Sequence, residues 1–258
     1  MDAVFNSFAA WLPAVAVAPV IGSFMGVLIQ RLPENRPVVF ARSACDHCGH
    51  RLAARDLVPL LSFVVTRGRC RYCHAPIGLF APAVELAATA VALWAGLTVP
   101  EADLWPSCVL GWLLLTLSWI DSRTMLLPDA LTLPLLVIGL IATYGADPAA
   151  LSDHTLAAVV AFTSLTGVAW LYRRLRGRDG LGGGDPKLFA GIGAWVGLAL
   201  LPLTLFLAAS LGLAAAGAAA LMGRRMTAAT AIPFGPFLAM AAWLLWLYGG
   251  SLDDWMGG

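Results

Sequence analysis

Eight stretches of mostly apolar residues, each about long enough to cross roughly 30 Å of hydrocarbon, recur along this chain and restrict it to an all-α polytopic membrane fold. They lie at about 9–30, 81–99, 104–121, 130–146, 154–172, 186–201, 203–222 and 229–248. Composition agrees: 60% of the 258 residues are hydrophobic and 12% are charged, far more apolar surface than one soluble core needs. The segment before the first stretch lacks the basic region of a cleaved signal peptide, so the first helix is expected to stay in the mature protein.

Charge sets the orientation. With the first helix running from outside to inside, all 16 Lys and Arg residues fall on inner segments: Arg31 through Arg71, Arg123, Arg173, Arg174, Arg176, Arg178, Lys187, Arg224 and Arg225. The outer segments carry only acids, Asp2, Glu101, Asp103, Asp147, Asp153, Asp253 and Asp254. The positive-inside rule then predicts both termini on the outer side of the membrane and any inner-side chemistry facing the cytosol. A net charge of +1 gives no reason to expect nucleic-acid binding.

Three regions follow: a first transmembrane helix at 1–30, a cytosolic insert at 31–80, and a seven-helix membrane domain at 81–258. The insert holds Cys45-Asp-His-Cys48 and Cys70-Arg-Tyr-Cys73, two CxxC pairs separated by 21 residues. This is close to the spacing of four-cysteine zinc sites, where each pair turns both thiolates toward one ion. On the reducing side of a membrane stable disulfides are disfavoured, so Cys45, Cys48, Cys70 and Cys73 are expected to hold a structural Zn²⁺. His47, His50 and His74 are alternative ligands, and paired hairpins with packing or redox-cycling thiols are the plainer alternative. No internal repeat stands out.

Among the inner acids, Glu34, Asp46, Asp56 and Asp179 stand in polar, Arg-rich sequence and read as solvated or ion-paired. Asp121 ends the third apolar stretch, where a helix C-terminus disfavours negative charge. Asp185 follows Gly180-Leu-Gly-Gly-Gly184 and precedes Pro186, the grammar of an N-cap, and Asp129 looks like an N-cap too. Nothing local separates Asp129 from Asp185 except the glycines, which serve either as a hinge or as open backbone, notably at Gly182 and Gly184, against which an extended substrate can lie. Two carboxylates sharing a water are the minimal apparatus for amide hydrolysis. Glu85 and Lys187 sit near inner helix ends; either they snorkel or ion-pair, or Lys187 supports Asp185 and Glu85 meets a basic substrate.

Taken in order, Gly22-Ser-Phe-Met-Gly-Val-Leu-Ile-Gln-Arg-Leu-Pro33, the two CxxC pairs, Pro59-Leu-Leu-Ser-Phe63, Val84-Glu-Leu86, Ile120-Asp-Ser-Arg-Thr-Met-Leu-Leu-Pro-Asp129, Gly182-Gly-Gly-Asp-Pro-Lys-Leu188 and Pro233-Phe-Gly-Pro236 resemble the type IV prepilin peptidases, membrane aspartyl proteases with a GxGD motif. The resemblance implies that Asp121 and Asp185 are catalytic and leaves Asp129 as a cap or supporting group. It implies cleavage of a short basic leader from type IV prepilins or type II secretion pseudopilins after a Gly, often followed by N-methylation of the new N-terminus from S-adenosylmethionine. The family commonly has Asn where Gly26 stands and Tyr where Gln30 stands. Prepilin or pseudopilin precursors and membrane lipid are the expected partners. The competing expectation is a non-catalytic, zinc-stabilised membrane assembly subunit of a pilus or secretion system, which would not need the acid pair.

Overall fold

The computed structural model describes residues 2–38, 43–45, 47–178, 180–223 and 232–256. Asp46, Asp179 and the expected inner loop with Arg224 and Arg225 lie outside the described residues. The helices are α1 (Asp2–Arg31), a short α2 (Leu61–Val65), α3 (Phe80–Thr98), α4 (Leu104–Thr124), α5 (Asp129–Ala146), α6 (Leu151–Arg176), α7 (Asp185–Leu221) and α8 (Gly235–Met256). No strand occurs among the described residues, only two isolated β-bridges. Six helical stretches are long and apolar enough to span a bilayer, and Gly235–Gly249 is a shorter apolar helix. The chain is a multi-pass helical membrane protein.

It divides into two compact units, Met1–Trp112 and Leu113–Gly258. In the first, α1 and α3 pack antiparallel, and glycines set how closely they approach. A Cβ on Gly22 would stand 2.6 Å from the Cα of Glu85, and one on Gly96 would stand 2.7 Å from the Cβ of Trp11. Small residues at such crossings let helix backbones come together where lipid supplies no hydrophobic drive. Trp112 Nε1 donates to the carbonyl of Ala88 at 2.9 Å, a bond that a buried indole needs.

In the second unit α5, α6 and α8 surround the first part of α7, whose residues 185–197 are buried except for Lys187. Gly191 packs on Leu135 and Gly193 on the backbone of Ala157, while Trp195 Nε1 donates to Leu135 O at 2.8 Å. Sequence places a break between the sixth and seventh apolar stretches at 201–203. The structure moves it: α7 leaves helical geometry at Gly197, with φ 75° and ψ 176°, a combination essentially reserved for glycine.

That residue reverses the chain. Before it, Trp195 meets Trp246 edge to face at 5.4 Å; after it, Gly212 lies beside Phe237 and Leu200 beside Gly249. At the other end Asp185 and Gly235 both lie beside Asp121, so residue numbers rise together along 185–196 and α8, and run oppositely along 198–221 and α8. The single helical stretch is two antiparallel helices joined at one glycine, which recovers the eight segments read from the sequence. Each side of the joint has a backbone group capped by a side chain. His154 Nδ1 donates to Ala194 O at 3.0 Å, Thr143 Oγ1 donates to the same carbonyl at 3.3 Å, and the Leu198 N–H donates to Asp153 Oδ2 at 2.9 Å.

Candidate active site

Asp121 and Asp185 are both buried, and their carboxylates are near enough to act on each other through their charge. Asp121 stands in the last turn of α4. Its Oδ2 accepts the N–H of Gly235, the first residue of α8, at 2.9 Å, and a Cβ on Gly235 would lie 2.7 Å from that oxygen. Asp185 opens α7, and its Oδ2 accepts the N–H of Gly182 at 3.0 Å. Each acid thus has one oxygen fixed by a glycine N–H, and neither makes a second hydrogen bond among the described residues. Gly184 packs on Leu127, whose Cβ a side chain there would meet at 2.6 Å. Gly182 and Gly184 therefore have close neighbours inside the site, and Gly183, with nothing within 4 Å, is the open position of the loop.

Two capping expectations are corrected. Helix α5 is preceded by Pro128 and α7 by Gly184, with no side-chain cap on either, so Asp129 and Asp185 are the first helical residues. Lys187 Nζ contacts Asp129 Oδ1 at 2.6 Å, and both side chains are about half exposed. The lysine neutralises Asp129 and leaves Asp185 to its glycine. Asp129 thus stands apart from the buried pair in environment as well as in partner.

The pair is also recessed. Gly193 and Gly197 lie beside Ala157 and Asp153 of α6, so α6 and the first half of α7 are antiparallel. At a rise of about 1.5 Å per residue, Asp185 is about 18 Å from Gly197 while Arg173 is about 30 Å from Asp153, which sets the acid about 12 Å deeper than the arginine end of α6.

In the first unit, the sulfurs of Cys45, Cys48, Cys70 and Cys73 all lie within 4.8 Å of one another, and Cys45 and Cys73 are 3.9 Å apart. Four thiolates about 2.3 Å from one tetrahedral ion stand about 3.8 Å apart, so the cluster fits a closed four-sulfur metal site. Each CxxC pair is a tight knuckle, and the two are built alike. The N–H of Cys45 bonds His50 O and that of Gly49 bonds Cys45 O, as Cys70 bonds Ala75 O and His74 bonds Cys70 O. The bridges Ala44 to Arg51 and Arg69 to Pro76 close both, and Gly49 and His74 share a positive φ. This is a 25-residue repeat that the sequence reading missed. Its signal is C-x-x-C-x-x-x-L/I, ending at Leu52 and Ile77.

The Cys48 backbone N–H, then that of His47, pulls the Cys45 thiol down to about 6, so it is largely thiolate at neutral pH. His50 stacks on Tyr72 with ring centroids 3.6 Å apart, which joins the two knuckles. Beside them a cavity of about 410 Å³ is lined by residues that include Gly26, Asp56, Arg69, Tyr72 and Phe80. Glu85 is buried on α3 and accepts the Leu60 N–H at 2.8 Å.

A model of the bacterial peptidase A24 N-terminal domain matches residues 16–99, and a model of the type IV leader peptidase family matches residues 108–217. Among relatives, a prepilin leader peptidase/N-methyltransferase of Aeromonas hydrophila is 36% identical, covering 91% of this chain and 89% of the relative. One from Burkholderia pseudomallei is 39% identical over 88% and 81%, and one from Pseudomonas putida is 38% identical over 93% and 91%. No solved structure matches. With both units matched and the relatives covered over most of their length, the chain belongs to the type IV leader peptidase family.

Proposed function

We propose that this protein is a membrane aspartic endopeptidase that removes the basic leader from prepilins or pseudopilins, cutting after a Gly at the cytosolic face of the bacterial inner membrane, with Asp121 and Asp185 as the catalytic pair. The observation that carries this reading is the pair itself: two buried acids from different helices, each tethered at one oxygen by a glycine N–H and each with its other oxygen left without a hydrogen bond among the described residues. In the reaction one carboxylate takes a proton from the water as its oxygen attacks the scissile carbonyl. The other, protonated, donates to the carbonyl oxygen, and a proton then passes to the departing amine as the C–N bond breaks. A non-catalytic assembly subunit has no use for such an arrangement.

The four-cysteine cluster is read as a structural Zn²⁺ site held by Cys45, Cys48, Cys70 and Cys73. The ion would supply folding free energy to an insert too small to build a sufficient core. N-methylation of the new terminus accompanies this reading, on the strength of the relatives' names. For the methyl donor, S-adenosylmethionine, the cavity beside the knuckles falls within the range of about 300–1,000 Å³ that small ligands occupy. There Arg69 would meet the donor's carboxylate, and Tyr72 and Phe80 its adenine.

The test is cleavage of a leader-bearing pilin precursor by Asp121→Asn, Asp185→Asn and Asp129→Asn variants that remain inserted and metal-loaded. Loss of at least about 10³-fold in the first two, with Asp129→Asn within about tenfold of the parent, is the expected result. Equal activity in all three rejects the protease, and loss in Asp129→Asn alone reassigns the pair.

A further inference from the structure

The insert carries ten consecutive uncharged residues, Leu57 to Thr66, between Asp56 and Arg67. Within them Leu57, Val58, Leu61, Val64 and Val65 are exposed, Leu61, Val64 and Val65 at 60, 69 and 63%. A contiguous apolar surface of this kind marks a partner or a membrane. Its place in the first unit decides between them. Leu60 is bound through its N–H to Glu85, and Glu85 lies inside the spanning stretch Phe80–Thr98. Gly22 packs on Glu85, and Arg31, the first basic residue of α1, is nine positions further inward, about 13 Å along the helix. A helical side chain leans toward its own N-terminus, so the Glu85 carboxylate reaches some way back toward that face. Even so, it meets Leu60 on the hydrocarbon side of Arg31.

We propose that residues 57–65 dip into the inner leaflet, with α2 lying among the acyl chains and Glu85 holding the segment's leading amide. Several of the segment's backbone N–H groups are paired within the chain, as this medium favours. The N–H of Leu57 bonds Ala54 O, that of Ser62 bonds Val58 O, and that of Val64 bonds Leu60 O, and the Leu60 N–H goes to the carboxylate. Leu60 is itself at φ 57°, a region costly for a side chain of its shape, and the buried acceptor accounts for its being held there. Arg55 and Arg67 flank the segment, placed to meet lipid phosphates. Leu79, 74% exposed, is a further exposed apolar residue, just before the first turn of α3. The inserted segment is thus the membrane contact of the metal-binding insert, and it does not depend on the protease reading.

The test uses the full-length, metal-loaded protein in nanodiscs of phosphatidylethanolamine and phosphatidylglycerol, with benzoylphenylalanine introduced at Leu61, at Val64 or at the exposed Arg51. Photolysis is expected to give lipid adducts at 61 and 64 at least several-fold above those at 51. Adducts at 61 and 64 no higher than at 51 overturn the proposal, as does preferential labelling of an added leader-bearing precursor, which would make this surface a substrate dock. In the Val64 probe background, Glu85→Gln keeps an acceptor and should keep the lipid adducts, whereas Glu85→Ala should reduce them several-fold. Unchanged yield in Glu85→Ala removes the carboxylate's part in the proposal. If that variant does not fold, the comparison of positions 61, 64 and 51 still decides.

Discussion

At the scale of single residues the chemistry turns on which atom each acid has been given. Asp121 has the Gly235 N–H, Asp185 the Gly182 N–H, and Asp129 the Lys187 ammonium. Under the proposed function, Gly235→Ala is therefore expected to lower precursor cleavage by about 10²-fold with little loss of insertion, because its Cβ would press on Asp121 Oδ2 and displace the proposed reacting group by a fraction of an ångström to an ångström. A ratio of kcat/KM within threefold of the parent would reject that role. The spacing of acids and glycines in the sequence brings Asp121 and Asp185 into view, and family resemblance separates them from Asp129. Gly235 is not legible that way, since its partner is 114 positions distant and Pro233-Phe-Gly-Pro236 reads only as a break before a helix.

A second residue-scale prediction concerns Asp56 in the insert. Loss of solvent raises its pKa, but the Arg71 Nε at 2.8 Å, the Ala53 N–H and the Tyr72 hydroxyl outweigh that and hold it below the ordinary carboxylate value. A lowered folded-state pKa gives stability above the unfolded value of about 3.9 that is lost as pH falls through the folded one. Asp56→Asn should thus make the insert more protease-sensitive at pH 7, and the difference from the parent should vanish in strong acid. A difference that persists unchanged there would show that the carboxylate charge is not its source.

Elements show where sequence reasoning succeeds and where it stops. The apolar stretches give the helices because hydrocarbon length and helix rise are fixed quantities. The turn between the two halves of α7 escapes them, since a hydropathy window does not register backbone angles. Pro202, where the apolar stretches part, lies within a helix, while Gly197 in the apolar run GAWVGLAL makes the reversal. Gly197→Ala should cost about 1–3 kcal/mol from the disallowed backbone geometry, and more from a Cβ placed 2.9 Å from Asp153 Oδ2. Gly217→Ala, at a helical glycine with open space around it, should be neutral or stabilise by up to about 1 kcal/mol. Thermal unfolding of both variants in one detergent is the check, and equal midpoints would reject the assignment of strain to Gly197. The knuckle repeat was missed for a different reason: it resides in backbone hydrogen bonds, and only the cysteines and one aliphatic residue per copy record it in the sequence.

For the whole molecule, the division after Trp112 parallels the two family matches, 16–99 and 108–217. The cysteine cluster belongs wholly to the first unit and the acid pair wholly to the second. Replacing Cys45 and Cys48 by Ser should release about one equivalent of metal and make residues 43–77 protease-sensitive, with metal content and limited proteolysis as the readouts; unchanged values in both would reject the metal site. The first half of α7 has a further consequence. Twelve residues, 185–196, make only about 18 Å of helix, against about 30 Å of hydrocarbon. An active site at the foot of so short a helix is reached by water only if the bilayer thins or opens above it, so under the proposed function the enzyme should be sensitive to acyl-chain length. Leader cleavage should be fastest in short-chain phosphatidylcholine vesicles and fall as the chains lengthen, at constant protein insertion, making membrane thickness a rate-controlling variable for this hydrolysis.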